Sequence, residues 1–329
     1  MSSLTVLEPS LGLDISKAKL DACLLLGTKA HHTQYDNTPA GLQRLRTWCH
    51  KLGAPTAQVV LEATGRYSDL AANLLHQAGH HVHVANPRRI KDYARSLGRR
   101  NKTDRIDAEL IASFGRGRSL VAWQPPANEQ LLLRQWLRRL HELETLRQAE
   151  RNRQQTISEP QIQRSLQRVL RALDKECSAV EAHINHLIAS TPTLRADVER
   201  LCQIEGIGLR SARWLCAELP RHLPNARAAA AWLAVTPRLR HSGSSLRSTA
   251  PVGHDGNRHL RRTLYMAAVV ARRHNPRLKT FADRLANNGK SKMTVLFAVL
   301  HKLFKISFSI LKHHTPYDPN HIPILTTKN

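Results

Sequence analysis

Four carboxylates and one serine-rich stretch are the features of this 329-residue chain whose types and spacing could do chemistry. Asp104 and Asp107 stand three apart in "GRRNKTDRIDAEL" (98–110), a stretch that also holds Arg99, Arg100, Lys102 and Arg105. In a helix that spacing puts both acids on one face. Acids in a first helical turn also serve capping and the macrodipole, so the pair alone fits a structural role as well as a chemical one. Asp14 and Glu62 weigh against the structural role. Asp14 ends the apolar run of "LGLDIS", and Glu62 ends the strand-like "VVLEATG". Carboxyl ends of strands are where open α/β sheets place ligand sites.

Two strand ends at one rim of a sheet, with a helix packed across them, can gather all four acids. Like charges ~4 Å apart near a protein surface repel by roughly 4 kcal/mol per pair, so such a cluster needs positive charge inside it. Lysines could supply it, but hard divalent cations, Mg²⁺ or Mn²⁺, do so better because they take oxygen ligands together with substrate phosphates. Two such ions held about 4 Å apart activate an attacking oxygen and stabilise a leaving one in phosphodiester chemistry. Arg99, Arg100, Lys102 and Arg105 then hold a polyanion over the metals: the bases address the substrate and the acids address the ions.

The second candidate is "RLRHSGSSLRS" (238–248). A Ser-Gly-Ser-Ser stretch is most often a flexible turn. Arg238, Arg240 and Arg247 raise its interest, because a serine oxygen attacking phosphorus needs cations around the developing charge. His241 is adjacent, but spacing alone positions no base. Gly206 and Gly208 of "GIG" could offer backbone N–H groups to a phosphate at the start of the next helix, as helix-hairpin-helix elements do. "GRGRS" (115–119) is a weaker signal of the same kind.

The bulk charge agrees with a polyanionic partner. Lys plus Arg number 50 and Asp plus Glu 25, giving +25; an excess of that size repels itself unless nucleic acid shares it. No membrane partner is expected: "TVLFAVL" (294–300) runs straight into His301 and Lys302, short of the roughly 20 residues that cross a bilayer. The N-terminus has no charged region leading into an apolar one, so no signal peptide is read and the protein is placed in the cytoplasm. Cys23, Cys49, Cys177, Cys202 and Cys216 are odd in number and form no CxxC pair, which argues for reduced core thiols. No carboxylate or cysteine stands at ligand spacing beside the His81/His83, His31/His32 or His313/His314 pairs, so metal binding there is not expected.

The elements that must position the acids follow from periodicity. The length fits two domains or three, and the fold class is α/β plus α. Strands are expected at 10–15, 20–26 and 30–35, then a helix capped by Asn37 or Thr38, a strand over 58–63, a helix closed by Gly79 and a strand over 81–86 stopped by Pro87. From 127 to 190 leucines recur at three-and-four spacing, broken at Glu159-Pro160, which reads as two long helices in an antiparallel coiled-coil hairpin. The rest, from about 195, is arginine-rich and helical. It has a polar loop over 236–258 and three helices near 259–273, 278–287 and 292–312.

Seven separated stretches, "LGLDISK", "LEATGRY", "NP" (86–87), "RNKTDRIDA", "IEGIGLRSA", "HSGSSLRS" and "RRTLYMAA", resemble in this order the DEDD-type insertion-sequence transposases related to the Piv site-specific DNA invertases. The resemblance spans about 10–312 and implies three parts. These are an RNase H-like (RuvC-like) domain over 8–122, the coiled coil over 127–190, and a C-terminal transposase domain over 195–315 carrying the serine loop. It further implies that Asp14, Glu62, Asp104 and Asp107 are a metal-binding tetrad and that Ser242 is the nucleophile that joins DNA. Members work as homo-oligomers, dimer or tetramer, in which one subunit's tetrad completes a site with another's serine. Many are guided by a structured bridge RNA that pairs with donor and target DNA. A bacterial, nucleoid-associated location follows.

The expected function is therefore a DNA transposase or recombinase that cuts and rejoins strands, with base pairing reading sequence and arginines holding backbones. Two alternatives stay open at this point. One is a metal-dependent RuvC-like junction nuclease without covalent serine chemistry, and the other is a non-enzymatic nucleic-acid-binding protein.

Overall fold

The structure, a computed structural model, describes residues 8–63, 66–98, 104–236, 238–242, 246–250 and 256–319. At Arg66, Asp104, Arg105 and the strand residues within 238–250 it describes the backbone alone. The chain divides into two compact units, Met1–Pro125 and Pro126–Asn329.

In the first unit, β1 (Ser10–Ile15), β2 (Lys19–Leu26) and β3 (Lys29–Asp36) form an antiparallel meander. Then come α1 (Pro39–Lys51), β4 (Gln58–Glu62), α2 (Arg66–Gln77), β5 (His81–Ala85), α3 (Pro87–Ser96) and α4 (Asp104–Gly115). The sheet order is β3-β2-β1-β4-β5, with β4 parallel to both β1 and β5. The period-two pattern decides which face meets which helix. Leu11, Leu13, Leu20 and Leu24 pack with Leu42, Leu45, Ala71 and Leu75 of α1 and α2. On the opposite face, Cys23 and Leu25 pack with Ala108 and Ala112 of α4. Thr38 caps α1 by accepting from the Gly41 N–H at 3.1 Å, one of the two caps expected.

α3 is an element the sequence reading did not anticipate. Pro87 ends β5 as expected, but it also opens a helix, with the Asn86 side chain accepting from the Arg88 N–H at 2.9 Å. Proline has no N–H to leave unpaired at a first helical position, so one residue both stops a strand and starts a helix.

The second unit begins with α5 (Asn128–Thr156) and α6 (Pro160–Ser190), joined by three residues. They run antiparallel: Trp136 stacks on His183, Arg147 pairs with Asp174, and the Gln163 amide reaches Gln154 O. Next come α7 (Pro192–Cys202), α8 (Leu209–Glu218), α9 (Ala226–Leu233), β6 (Arg238–Ser242), β7 (Leu246–Ala250), α10 (Arg258–His274), α11 (Pro276–Asn287) and α12 (Lys292–His313). One continuous core runs from Leu133 on α5 to Leu311 on α12.

Two expectations need correction here. The stretch 236–258 is not irregular throughout, because β6 and β7 pair antiparallel from Arg238↔Ala250 to Ser242↔Leu246. Leu239 opposite Thr249 and a Gly-Ser-Ser connection suit a hairpin. Second, α12 continues "TVLFAVL" into a 22-residue helix long and apolar enough to cross a membrane, with 56% of that window buried inside the protein. Val295, Val299, Leu303, Phe304 and Phe308 are buried in the core, which makes α12 the central helix of its unit. Among the described residues all five cysteines are free, and only Cys202 is exposed.

Candidate active site

The sheet brings two of the four acids side by side. β1 and β4 are parallel and in register, with Leu13 opposite Leu61, so Asp14 and Glu62 each lie one residue further on, at the carboxyl ends of adjacent strands. Leu11, Leu13 and Ile15 are buried in the core against α1 and α2. Alternation turns Ser10, Gly12 and Asp14 to the opposite face, where α4 lies.

α4 seats itself on β1 by close backbone approach. A Cβ on Gly12 would fall 2.2 Å from both Ala108 O and Ala112 N, and one on Gly115 would fall 2.6 Å from Val60 Cγ2. The Ser10 hydroxyl donates to Ala112 O at 2.7 Å. Ser10 thus matches Ala112 and Gly12 matches Ala108, so helix and strand run in opposite senses. Two strand residues rise about 6.6 Å and four helix residues about 6 Å. The next step along β1 therefore puts Asp14 level with the start of α4 at Asp104. Asp107, half-buried, stands in that first turn.

The register adds an acid the sequence reading passed over. Asp21 on β2 is the direct partner of Asp14, and Gln34 on β3 is the partner of Asp21. The Gln34 amide donates to Asp21 Oδ1 at 2.8 Å, while Lys19 Nζ donates to Gln34 Oε1 at 3.3 Å. Across the sheet this makes one line of polar positions, Gln34, Asp21, Asp14 and Glu62. Its only sequence signal is Asp21 within an apolar strand, the same oddity that marks Asp14, and strand pairing is needed to make it legible. Two residues deeper, His32 stands 3.5 Å from Glu109 of α4 and 3.8 Å from Cys23 Sγ.

Among the described residues no three His, Cys, Asp or Glu side chains form a metal-holding group, so Asp14, Glu62 and Asp107 do not make one by themselves. The Asp104 side chain lies outside the described residues, as do Arg99, Arg100, Lys102 and the side chain of Arg105. The donor type nonetheless fits a hard cation, because the line across the sheet offers carboxylate oxygens without thiolate, and opposed aspartates repel unless a positive charge stands near them.

In the second unit, Ser242 is the last residue of β6 and the partner of Leu246, at the foot of the connection 243–245. Arg238 and Arg240 occupy alternate positions before it, and Arg247 is the partner of His241. The side chains of this hairpin lie outside the described residues.

The two glycines of "GIG" differ in role. Gly206 has φ +105°, and a Cβ there would fall 2.5 Å from Ala271 Cβ and 2.7 Å from Ala271 N, so it is the seat of α10 against the turn. Gly208 faces open space and precedes α8, where no side chain caps the helix. Of the two, Gly208 is the one at an uncapped helix start with room beside it, the setting a phosphate site requires.

The comparisons with known proteins decide the family. Residues 11–188, more than half of the chain, match the family described as DEDD-type IS110 transposase. The chain belongs to the IS110-type transposases. Residues 198–283 match a second description, transposase of the IS116/IS110/IS902 family. The pilin gene-inverting proteins of Moraxella bovis and Moraxella lacunata are each 28% identical over 313 residues, covering 94% of this chain and 97% of theirs. An uncharacterised 43.6 kDa protein of the insertion element IS110 from Streptomyces coelicolor is 28% identical over 157 residues, 47% of this chain and 37% of its own. The IS110-type transposase is thus a DNA recombination enzyme whose substrate is DNA. Its mixed α/β first unit and helical second unit fit a DEDD transposase, a class that suggests divalent-metal use.

Proposed function

We propose that this transposase cuts and rejoins DNA strands with a serine nucleophile, Ser242, and a carboxylate tetrad, Asp14, Glu62, Asp104 and Asp107. The observation that carries the reading is the placement of Asp14 and Glu62 on adjacent strand ends, level with the first turn of the helix that bears Asp104 and Asp107. The first unit is read as an RNase H-like domain over 8–122. The α5–α6 pair over 127–190 is read as a coiled coil, and 195–315 as the transposase domain with a helix-hairpin-helix-like turn at α7–α8.

The tetrad would hold Mg²⁺ or Mn²⁺, which when bound neutralises phosphate charge and lowers the barrier to displacement at phosphorus. The chain's own residues do the rest. Ser242 Oγ attacks phosphorus, forming an Oγ–P bond while the bond to the leaving deoxyribose oxygen breaks. The serine's proton ends on that oxygen, and attack by another strand's hydroxyl reverses the exchange and frees the serine. Arg238, Arg240 and Arg247 balance the charge that develops at phosphorus. Arg99, Arg100, Lys102, Arg105 and the Gly208 turn hold the backbone. We further read the enzyme as a cytoplasmic, nucleoid-associated homo-oligomer guided by a structured RNA, with base pairing reading sequence as the paucity of aromatics favours.

The test is capture of a covalent protein–DNA adduct by denaturing electrophoresis, with cognate element ends and guide. Wild type is expected to give the adduct and Ser242→Ala none. An adduct that survives Ser242→Ala refutes the serine's role. Free cleaved ends without any adduct mean a metal-dependent nuclease instead.

A further inference from the structure

Several arginines of the second unit have carboxylate partners. Arg134 and Arg138 engage Glu218, Arg147 and Arg151 share Asp174, Arg200 and Arg221 share Asp197, and Arg210 pairs with Glu144. Lys312 is used in another way, donating to Leu223 O and Pro224 O at the end of α12. One face instead gathers cations around a shared ring. Arg277 and Arg284 stand seven apart on α11, two turns along one stripe, and Lys302 and Lys305 stand three apart on α12. None of the four has a carboxylate partner among the described residues.

The two stripes converge on a single ring. Lys302 Nζ lies 3.9 Å from the centroid of Phe281, and Arg284 Cζ lies 5.6 Å from the same centroid. A cation over a ring face gains modest attraction, which here fixes two like charges beside one another. Burial, and then the charges of Arg277, Arg284 and Lys305, hold the Lys302 ammonium below its usual range. The same neighbourhood, burial first and then Lys305 and Lys302, lowers His301. Like charges held together without acids cost free energy in the isolated chain, and a row of phosphates removes that cost.

We propose that the α11–α12 face, through Arg277, Arg284, Lys302 and Lys305, grips the sugar-phosphate backbone of duplex DNA. The inference rests on the reading of this chain as a DNA recombinase and assigns a surface outside both the acidic rim and the serine hairpin. Phe281 lies beneath the cations and packs on the core, so the face offers charge without a free ring for stacking bases. That favours a duplex backbone over a splayed single strand.

The experiment measures duplex DNA binding by fluorescence anisotropy from low to moderate salt. It compares wild type, a triple variant (Arg284→Gln, Lys302→Gln, Lys305→Gln), and a control neutralising three scattered lysines (Lys29→Gln, Lys51→Gln, Lys175→Gln). Each lost phosphate contact flattens the slope of log affinity against log salt by roughly 0.9. The triple variant is expected to be shallower than wild type by about 2.7, and the control by much less. Restoring charge with Lys302→Arg and Lys305→Arg should return most of the slope. Circular dichroism melts confirm that each variant folds. Equal slopes for wild type and triple variant, or equal losses in triple variant and control, overturn the proposal while leaving the recombinase reading intact. So does a loss confined to duplex RNA. A wild type that binds no DNA overturns both.

Discussion

In the first unit three of the acids of interest sit on strands in a fixed register, Asp21 opposite Asp14 and Glu62 one strand further on, with Asp104 and Asp107 on the helix packed against them. In the second unit Arg277, Arg284, Lys302 and Lys305 sit on the outer surfaces of two helices, on long side chains with a ring beneath them. On the proposed roles, the contrast follows what each set would bind. Oxygen ligands to a small cation have to arrive at set distances, so they belong on a sheet whose pairing leaves no slip without turning every side chain over. Phosphate backbones are read as rows of charge, and flexible lysines and arginines on a convex helical face suffice.

The sharpest way to break that contrast is Asp14→Ala. Removing one acid from the rim is expected to lower recombination by about 10²–10³-fold or more, while duplex binding holds or tightens because a negative charge has gone. A variant that still recombines paired DNA sites would reduce the rim to a structural feature.

Two glycine substitutions separate the units next. Gly206→Ala places a Cβ 2.5 Å from Ala271 at φ +105°. Roughly 1–3 kcal/mol of backbone strain then adds to a similar overpacking cost. Gly12→Ala meets the α4 backbone at 2.2 Å and is expected to cost about 1–3 kcal/mol through overpacking alone. Because it lifts α4 from β1, it should lower activity far more than duplex binding. Urea melts paired with recombination and anisotropy assays distinguish the two. Equal loss of activity and binding in Gly12→Ala would mean that the unit simply unfolds.

The smallest effect is on pH dependence. His80 is buried and accepts from the Ala57 N–H through Nδ1 at 3.2 Å. Burial first, then the charges of Arg46, His50 and His81, hold it below its usual value near 6.5. A folded-state value below the unfolded one means that its stabilisation is complete above the unfolded pKa and is lost as pH falls through the folded one. Melting temperature should therefore drop on acidification below about 6.5, and His80→Gln should flatten that dependence. His259 in the second unit, lowered by burial and then by His141, is expected to act in the same sense. Unchanged pH dependence in His80→Gln would assign the drop to the second unit.

Much of the fold was legible because it is periodic. The alternation of "SLGLDI" names a strand and the face it buries, and the leucine spacing over 127–190 names two helices, although on α6 the buried face runs through Leu166, Leu170, Cys177, Val180, Ile184 and Ile188 and leaves Val169 exposed. α3 and the β6–β7 hairpin were not legible. Asn86-Pro87 carries a strand stop and a helix start in the same two residues. A five-residue strand that pairs only with its immediate neighbour has too little alternation to stand out from a serine-rich turn.

By itself the sequence determined the residue types at the candidate site, the excess of positive charge and the family. Local propensity and chemistry write those directly into the order of residues. Tertiary structure alone decided that Asp21 stands opposite Asp14, that Gly206 is a packing seat while Gly208 is open, and that cations from two helices meet over Phe281. Each of these depends on which strand pairs with which, or which helix packs on which. Pairing and packing are set by the burial of the whole core, and no short stretch of the chain encodes them.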